Sequence, residues 1–422
     1  MLRIDRICVY IIMLGLILIV PSIQYISYLD EFGALMFGCV AALDCIVNRN
    51  WGKYKLLWIV MAIMAFYAIY SVTMVHFNVA KAVMLDWVIT IKPFLPFIVM
   101  FAVAPKFTDA DKKIIRGICV FNAAILSFAF CCGHSVVEAI VFHVTYGGTA
   151  IFASMMFYLY CSIDSNGKIS RRSIVAAIIF LTFGLLCTRA KYYGSYVLVL
   201  YFIFAYRPGM LRQLTPFKIL GLLLIGALVL AVSWHKIEYY FLVGNGDSFD
   251  PTVVQSFARP VLYVTGFLIL FDFFPFGTGL GSFASFASEQ FYSGVYYYYG
   301  IDKVYGLSPS YSSFICDAYY PSLAQFGIVG FILFICFWCY TYNFLRKAIR
   351  ISGESFRYPF IIGALLVCFI LIECTSGNTF TQIIGTFVMA LYGIICAQGK
   401  EMVSKRQKIE KGDQENRLTR KI

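Results

Sequence analysis

The stretch Tyr358-Pro-Phe-Ile-Ile-Gly-Ala-Leu-Leu-Val-Cys-Phe-Ile-Leu-Ile-Glu-Cys374 carries one charge, Glu373, and no alternation of polar and apolar side chains. A strand with one wet face would alternate. In hydrocarbon, so evenly apolar a run must satisfy its backbone groups within itself, which makes it a helix. Comparable runs lie near 8–25, 32–47, 56–75, 82–104, 114–131, 147–163, 174–188, 191–206, 217–234, 322–345 and 379–397. These approach the ~20 residues that cross ~30 Å of hydrocarbon, with 32–47 and 191–206 the shortest. The 422 residues are 61% apolar and only 13% charged, with a mean hydropathy of +0.79, a balance that excludes a soluble globular protein. Continuous runs also exclude a membrane β-barrel. The expected fold class is all-α: a polytopic membrane protein with about 12 transmembrane helices and one large extracytoplasmic loop between the ninth and tenth spans.

The first run follows Arg3 and Arg6 like a signal peptide, but no small-residue cleavage site follows Pro21, so it is read as a retained span. Lys and Arg crowd alternate connections: 27 of the 34 fall near 3–6, 49–55, 106–116, 168–172, 207–218 and 346–357 and in the tail from Lys400. That pattern places both termini in the cytoplasm. The formal charge of +12 is thus a topology signal and not a sign of nucleic-acid binding. The expected organisation is a nine-span bundle over 1–234, an extracytoplasmic loop over 235–320 with a membrane-surface helix, a three-span bundle over 321–398 and a basic cytoplasmic tail over 399–422.

Of the 14 cysteines, Cys316 alone sits in the long loop, and the others behave as small apolar residues in or beside spans. Neither a disulfide framework nor a metal site is implied, because His76, His134, His143 and His235 match no metal spacing. No internal repeat is visible, which disfavours transporters built from two related halves. The tail is polar with mixed charge, read as disordered or as a helical fringe.

Seven cations escape the pattern: Lys81, Lys92, Arg189, Lys191, Lys236, Arg259 and Lys303. Arg189 and Lys191 stand in a tight external turn, where they would serve either as snorkelling anchors or as ligands for a phosphate group beside the bilayer. Arg259 adds a planar fork of donors suited to phosphate oxygens. Lys92 lies within the fourth span and needs a partner such as Asp86, or a lumen. Asp272 and Asp317 are the external carboxylates best placed for acid or base work, with Glu138, Glu238, Asp247, Asp250, Glu289 and Asp302 as alternatives. The aromatic group Phe291, Tyr292, Tyr296 to Tyr299 and Tyr305 suits sugar rings and, equally, the membrane interface.

The string Arg259-Pro-Val-Leu-Tyr263, continued by Asp272-Phe-Phe-Pro275-Phe-Gly277-Thr-Gly279-Leu-Gly281, resembles the signature of the O-antigen ligase and polymerase superfamily. Thr188-Arg189-Ala190 and Tyr319, Gln325, Gly327 and Gly330 are similar to two further motifs of that family. The resemblance implies a membrane glycosyltransferase, free of metal and cofactor, in a bacterial inner membrane with its site facing the periplasm. Its substrates would be undecaprenyl-diphosphate-linked glycans, and its partners the bilayer, a chain-length regulator and a flippase. Arg189, Lys191 and Arg259 would hold the diphosphate, Tyr263, Asp272 and Tyr319 would line the substrate, and Asp317 would act as base. The family's ligases carry a His where this chain has Cys316, and the usual Glu is Gln325. That favours a polymerase of repeat units. Ligation of finished polymer to a lipid A core or protein, and a lipid-linked oligosaccharide flippase or other transporter, are the alternatives.

Overall fold

The computed structural model describes residues 3–25, 28–209, 234, 238 and 257–419, with side chains to residue 408. All but the last residue of the ninth apolar run lies outside the described residues, as do His235, Lys236, Asp247 and Asp250. Among the described residues there is no strand beyond two isolated bridges, at Ile163 with Ile169 and Ser308 with Tyr311. The helices are α1 (Ile4–Tyr25), α2 (Leu29–Val47), α3 (Lys55–Tyr70), α4 (Ala80–Ile91), α5 (Phe94–Val103), α6 (Asp109–Cys132), α7 (His134–Val141), α8 (Val144–Cys161), α9 (Arg171–Gly184) and α10 (Ala190–Leu200), followed after 257 by α11 (Ala258–Asp272), α12 (Phe286–Gln290), α13 (Gly294–Tyr298), α14 (Tyr319–Ser322), α15 (Gly327–Ser352), α16 (Arg357–Glu373) and α17 (Ile383–Thr419). The polar tail continues α17 and stays helical to Thr419.

Among the described residues, five helical runs are long and apolar enough to cross a membrane: Ile4–Tyr25, Trp51–Val75, Asp109–Cys132, Tyr319–Glu373 and Ile383–Lys408. Counting each of two bent pairs as one span gives seven. Three further apolar runs form helices that fall short, α9 and α10 by length and α2 by its charges Asp30, Glu31 and Asp44. The bends have local causes. Pro93 separates α4 from α5 by 40°, because its ring removes a donor and crowds the preceding turn. Between α7 and α8 the axis turns by 72° at Phe142, which has φ 60°.

The first part of α17 forms the centre of the bundle, its side chains from Ile384 to Ala397 almost wholly buried. Small residues allow close approach there. A Cβ on Gly393 would lie 2.4 Å from the Phe97 carbonyl oxygen of α5, the kind of contact on which helices in lipid rely. α3, by contrast, has few buried residues, as a lipid-facing helix should. A second apolar cluster forms in the segment after 257, around Leu262, Ile269, Phe283, Tyr296, Leu307 and Ile315.

Contacts define two ends of the assembly. At one, Arg6 binds Asp111 in a two-pronged pair, Lys112 donates to the Ile163 carbonyl and Arg357 to those of Tyr206 and Ile203. Most of the basic connections belong to this end. At the other, Gln24 accepts from the Phe142 backbone, Lys92 meets Asp30 and Glu31, and Gln382 reaches Tyr146. Of the exceptional cations, Lys92, Arg189, Lys191 and Arg259 lie toward this second end.

Candidate functional site

Thr188 has φ 56° and closes the 3-10 turn after α9, so the chain reverses at once into α10 with Arg189 as its N-cap residue. The exposed Arg189 sends Nη2 to within 3.0 Å of His143 Nε2. Lys191 turns inward. Its Nζ lies 2.6 Å from Glu373 Oε2 and donates to the Ser376 carbonyl at 3.2 Å. Glu373 is fully buried, accepts a bond from the Thr379 hydroxyl on the same oxygen, and has no partner for Oε1 among the described residues.

Arg259 lies in the first turn of α11, where Pro260 is tolerated because that turn's N–H groups have no helical partner. Its Nη2 binds Asp317, which a turn of backbone holds just before α14. The buried Nε of Arg259 has no partner among the described residues. The end of α16 ties these pieces together. The Cys374 carbonyl accepts from the Tyr319 N–H at 3.1 Å, and the Thr375 carbonyl accepts from the Tyr263 hydroxyl at 2.8 Å. Residues from α10, α11, α16 and the loop before α14 therefore share one patch. The charges of Arg259, Lys191 and Arg189 all reach Asp317, and those of Arg189, Glu138, Lys191 and Asp317 all reach the His143 ring.

Burial pushes the Asp317 carboxyl above its ordinary range, even though Arg259, Lys191 and Arg189 pull it down. Asp317 and Glu373 each hold one cation directly, whereas Arg189 has an imidazole as its nearest partner and meets the charge of Glu138 only across the His143 ring. Such a patch can receive an anion and hold a carboxylate ready to take a proton. Among the described residues no group of three His, Cys, Asp or Glu side chains is placed to hold a metal ion.

Not every expected residue joins the patch. Asp272 sits at the far end of α11 from Arg259, about 20 Å away along the axis, and accepts from the Tyr299 hydroxyl at 2.8 Å. The ring of Tyr319 is buried against Phe334 and Phe380, so its part in the site is the backbone bond to Cys374. The glycine turn also has a structural task. A Cβ on Gly277 would lie 2.3 Å from the Ala324 carbonyl oxygen, Gly279 N–H donates to the Gln325 carbonyl, and Gly281 N–H donates to Asp86. Gln325 completes the lock by donating to Asp86 and accepting from the Ser282 N–H. Asp86 is thus occupied, and Lys92 pairs with Asp30 at 2.6 Å and Glu31 at 2.7 Å. The Cys316 thiol turns away to donate to Glu289 at 3.2 Å.

Two members escaped the reading of the sequence. His143 was one interfacial histidine among four, and nothing local announces the bend that aims it. Glu373 did leave a trace, as the single charge at the end of an apolar run. Comparison of the chain with protein-family models, with curated proteins and with solved structures finds no match.

Proposed function

We propose that this chain polymerises undecaprenyl-diphosphate-linked oligosaccharide repeat units at the outer leaflet of a bacterial inner membrane, for a cell-surface polysaccharide. The observation that carries the reading is the pair of Arg259 with Asp317, with Arg189 and Lys191 from a separate element near enough for their charges to act on that carboxylate, at the end of the bundle opposite most basic connections. The basic end faces the cytoplasm, the ninth run and the shorter helices bring the crossings to about twelve, and the cluster opens to the exterior.

The diphosphate of the donor lipid lies against Arg189 and Arg259, displacing Asp317 from the guanidinium. An opposite charge at 4 Å is worth about 4 kcal/mol in partly buried surroundings, against about 1 kcal/mol in bulk water, so the half-buried Arg259 matters more than the exposed Arg189. The freed Asp317 accepts the proton of the acceptor hydroxyl, whose oxygen attacks the anomeric carbon. The bond from that carbon to the diphosphate breaks, and the lipid diphosphate leaves with the electron pair. Direct attack inverts the anomeric centre. Arginine and lysine supply the positive potential, so the reading needs no metal or cofactor. Lys191 acts at closer range on Glu373 than on the donor.

Cys316 stands where the family's ligases carry a His, and its thiol is directed at Glu289, which favours polymerisation over ligation. Deletion separates the two: a lost polymerase leaves single repeats on the acceptor, whereas a lost ligase strands long chains on the carrier lipid. Arg189→Ala and Arg259→Ala should each abolish long product while the protein remains in the membrane at wild-type amount. Wild-type product lengths from either variant would remove the diphosphate reading.

A further inference from the structure

One cavity of about 180 Å³ takes no part in the chemistry above. It lies at the same end of the bundle, bounded by Leu29, Asp30, Phe142, Tyr146, Gln382 and Ile383. Two short paths connect it to the cationic patch. Tyr146 stands one helical turn beyond His143, their rings 6.4 Å apart, and His143 holds Arg189. Gln382 follows Thr379, which binds Glu373, the partner of Lys191. The charges of Asp317 and Glu373 both reach the Tyr146 phenol.

The lining has hydrogen-bonding capacity to spare. Gln382 donates to the Tyr146 oxygen at 3.2 Å, which leaves the phenol proton and the amide oxygen without partners among the described residues. Asp30 receives Lys92 on one oxygen and the Glu31 N–H on the other, and each oxygen keeps a lone pair. The cavity's wall is shaped by a γ-turn in which the His143 N–H donates to the Val141 carbonyl across Phe142, with φ 60° and ψ −40°. A bulky residue seldom holds that conformation, and when it does the site is commonly a functional one. Here the turn leaves the Phe142 ring exposed beside the cavity while aiming His143 at Arg189.

We infer that this cavity is a subsite for a single neutral or amino-sugar ring of the acceptor, and that it rejects acidic sugars; the assignment to the acceptor rests on the proposed function. A carboxylate, an amide oxygen and a phenol beside apolar side chains match a ring with hydroxyls at its rim and C–H faces. The volume is below the ~300–1,000 Å³ of pockets that enclose drug-sized ligands, so it admits one ring. The charge sets the selectivity. Asp30 and Glu31 share one ammonium, that of Lys92, which leaves one net negative charge against a uronate carboxylate.

The test is saturation-transfer NMR on the full chain in nanodiscs, with methyl glycosides of glucose, galactose, mannose and N-acetylglucosamine, and with methyl glucuronide. At least one neutral glycoside should bind about tenfold or more tightly than the glucuronide. Tyr146→Phe, which removes a single oxygen, should weaken that glycoside roughly threefold to tenfold. Asp30→Asn should bring the glucuronide to within about threefold of it. Absence of binding by every neutral glycoside, equal binding of the glucuronide, or an unaltered Tyr146→Phe variant would overturn the subsite. The two readings fail separately. No glycoside binding by a chain that still makes polymer removes the subsite alone, and binding by a chain that makes no polymer removes the enzyme reading alone.

Discussion

At the scale of single residues, Asp317 and Glu373 show how one side-chain type is given two tasks by its surroundings. Asp317 is partly exposed, paired with an arginine that a phosphate can take over, and its carboxyl is raised by burial. Only the ionised form accepts a proton, so activity should persist at higher pH and fall as pH drops through a midpoint above that of an ordinary aspartate. Asp317→Asn should lower turnover by about 10²–10⁴-fold, the usual worth of a general base, and remove that acid limb from the pH–rate profile. Glu373 is sealed against Lys191 at 2.6 Å. Glu373→Gln should cost about 3–5 kcal/mol in stability, since it leaves a largely buried ammonium unpaired. Lys191→Met with Glu373→Met should recover most of that loss in thermal unfolding, because two matched apolar side chains replace a pair that was costly to desolvate. The sequence offered Arg189, Lys191 and Arg259 through their rarity outside the basic connections, and Asp317 through its place just before the tenth apolar run. It could not offer their partners, because Glu373 and His143 acquire their roles from helices distant along the chain.

At the scale of elements, the glycine turn after α11 is the clearest case of a motif whose purpose depends on what it touches. In the sequence its glycines resemble part of a family signature. In the structure Gly277 has φ 76° and abuts the backbone of Ala324 and Gly327, so the turn interlocks with the start of α15. Gly277→Ala therefore combines backbone strain with a clash against immovable atoms and should cost more than about 1–3 kcal/mol, read as a lowered melting temperature or loss of protein from the membrane. Gly300→Ala is the companion experiment. That glycine has φ 65° but open space around it, so the cost should be limited to about 1 kcal/mol of backbone strain. Asp272, conspicuous in the sequence, lies apart from Asp317 because of the helix that carries it. A helix of 15 residues separates its two ends, and only the end bearing Arg259 reaches the patch.

At the scale of the whole molecule, orientation in the membrane is the property on which the enzymatic reading depends. Alkaline phosphatase fused after Gly300 should be active and a fusion after Lys168 inactive, because the enzyme folds only when exported. The reverse pattern would put the cationic patch in the cytoplasm and end the reading as an outer-leaflet transferase. The all-helical class and the membrane character were legible from sequence alone, since continuous apolar runs leave the backbone no other means of satisfying itself in hydrocarbon. The number of crossings was less legible. Hydropathy registers α2, α9 and α10 as apolar runs, yet their length and charge fall short of an independent span, and neighbours must complete what each lacks. Composition and charge placement act locally along the chain, so the sequence by itself determined the helical class and singled out the cations that do not belong with the rest. Pairing acts through space: only the packed structure decided that Lys92 meets α2, that Asp86 and Gln325 lock a turn, and that Arg259 holds Asp317. In a low-dielectric bundle an unpaired charge is costly, and which partner stands nearest is fixed by the helix packing.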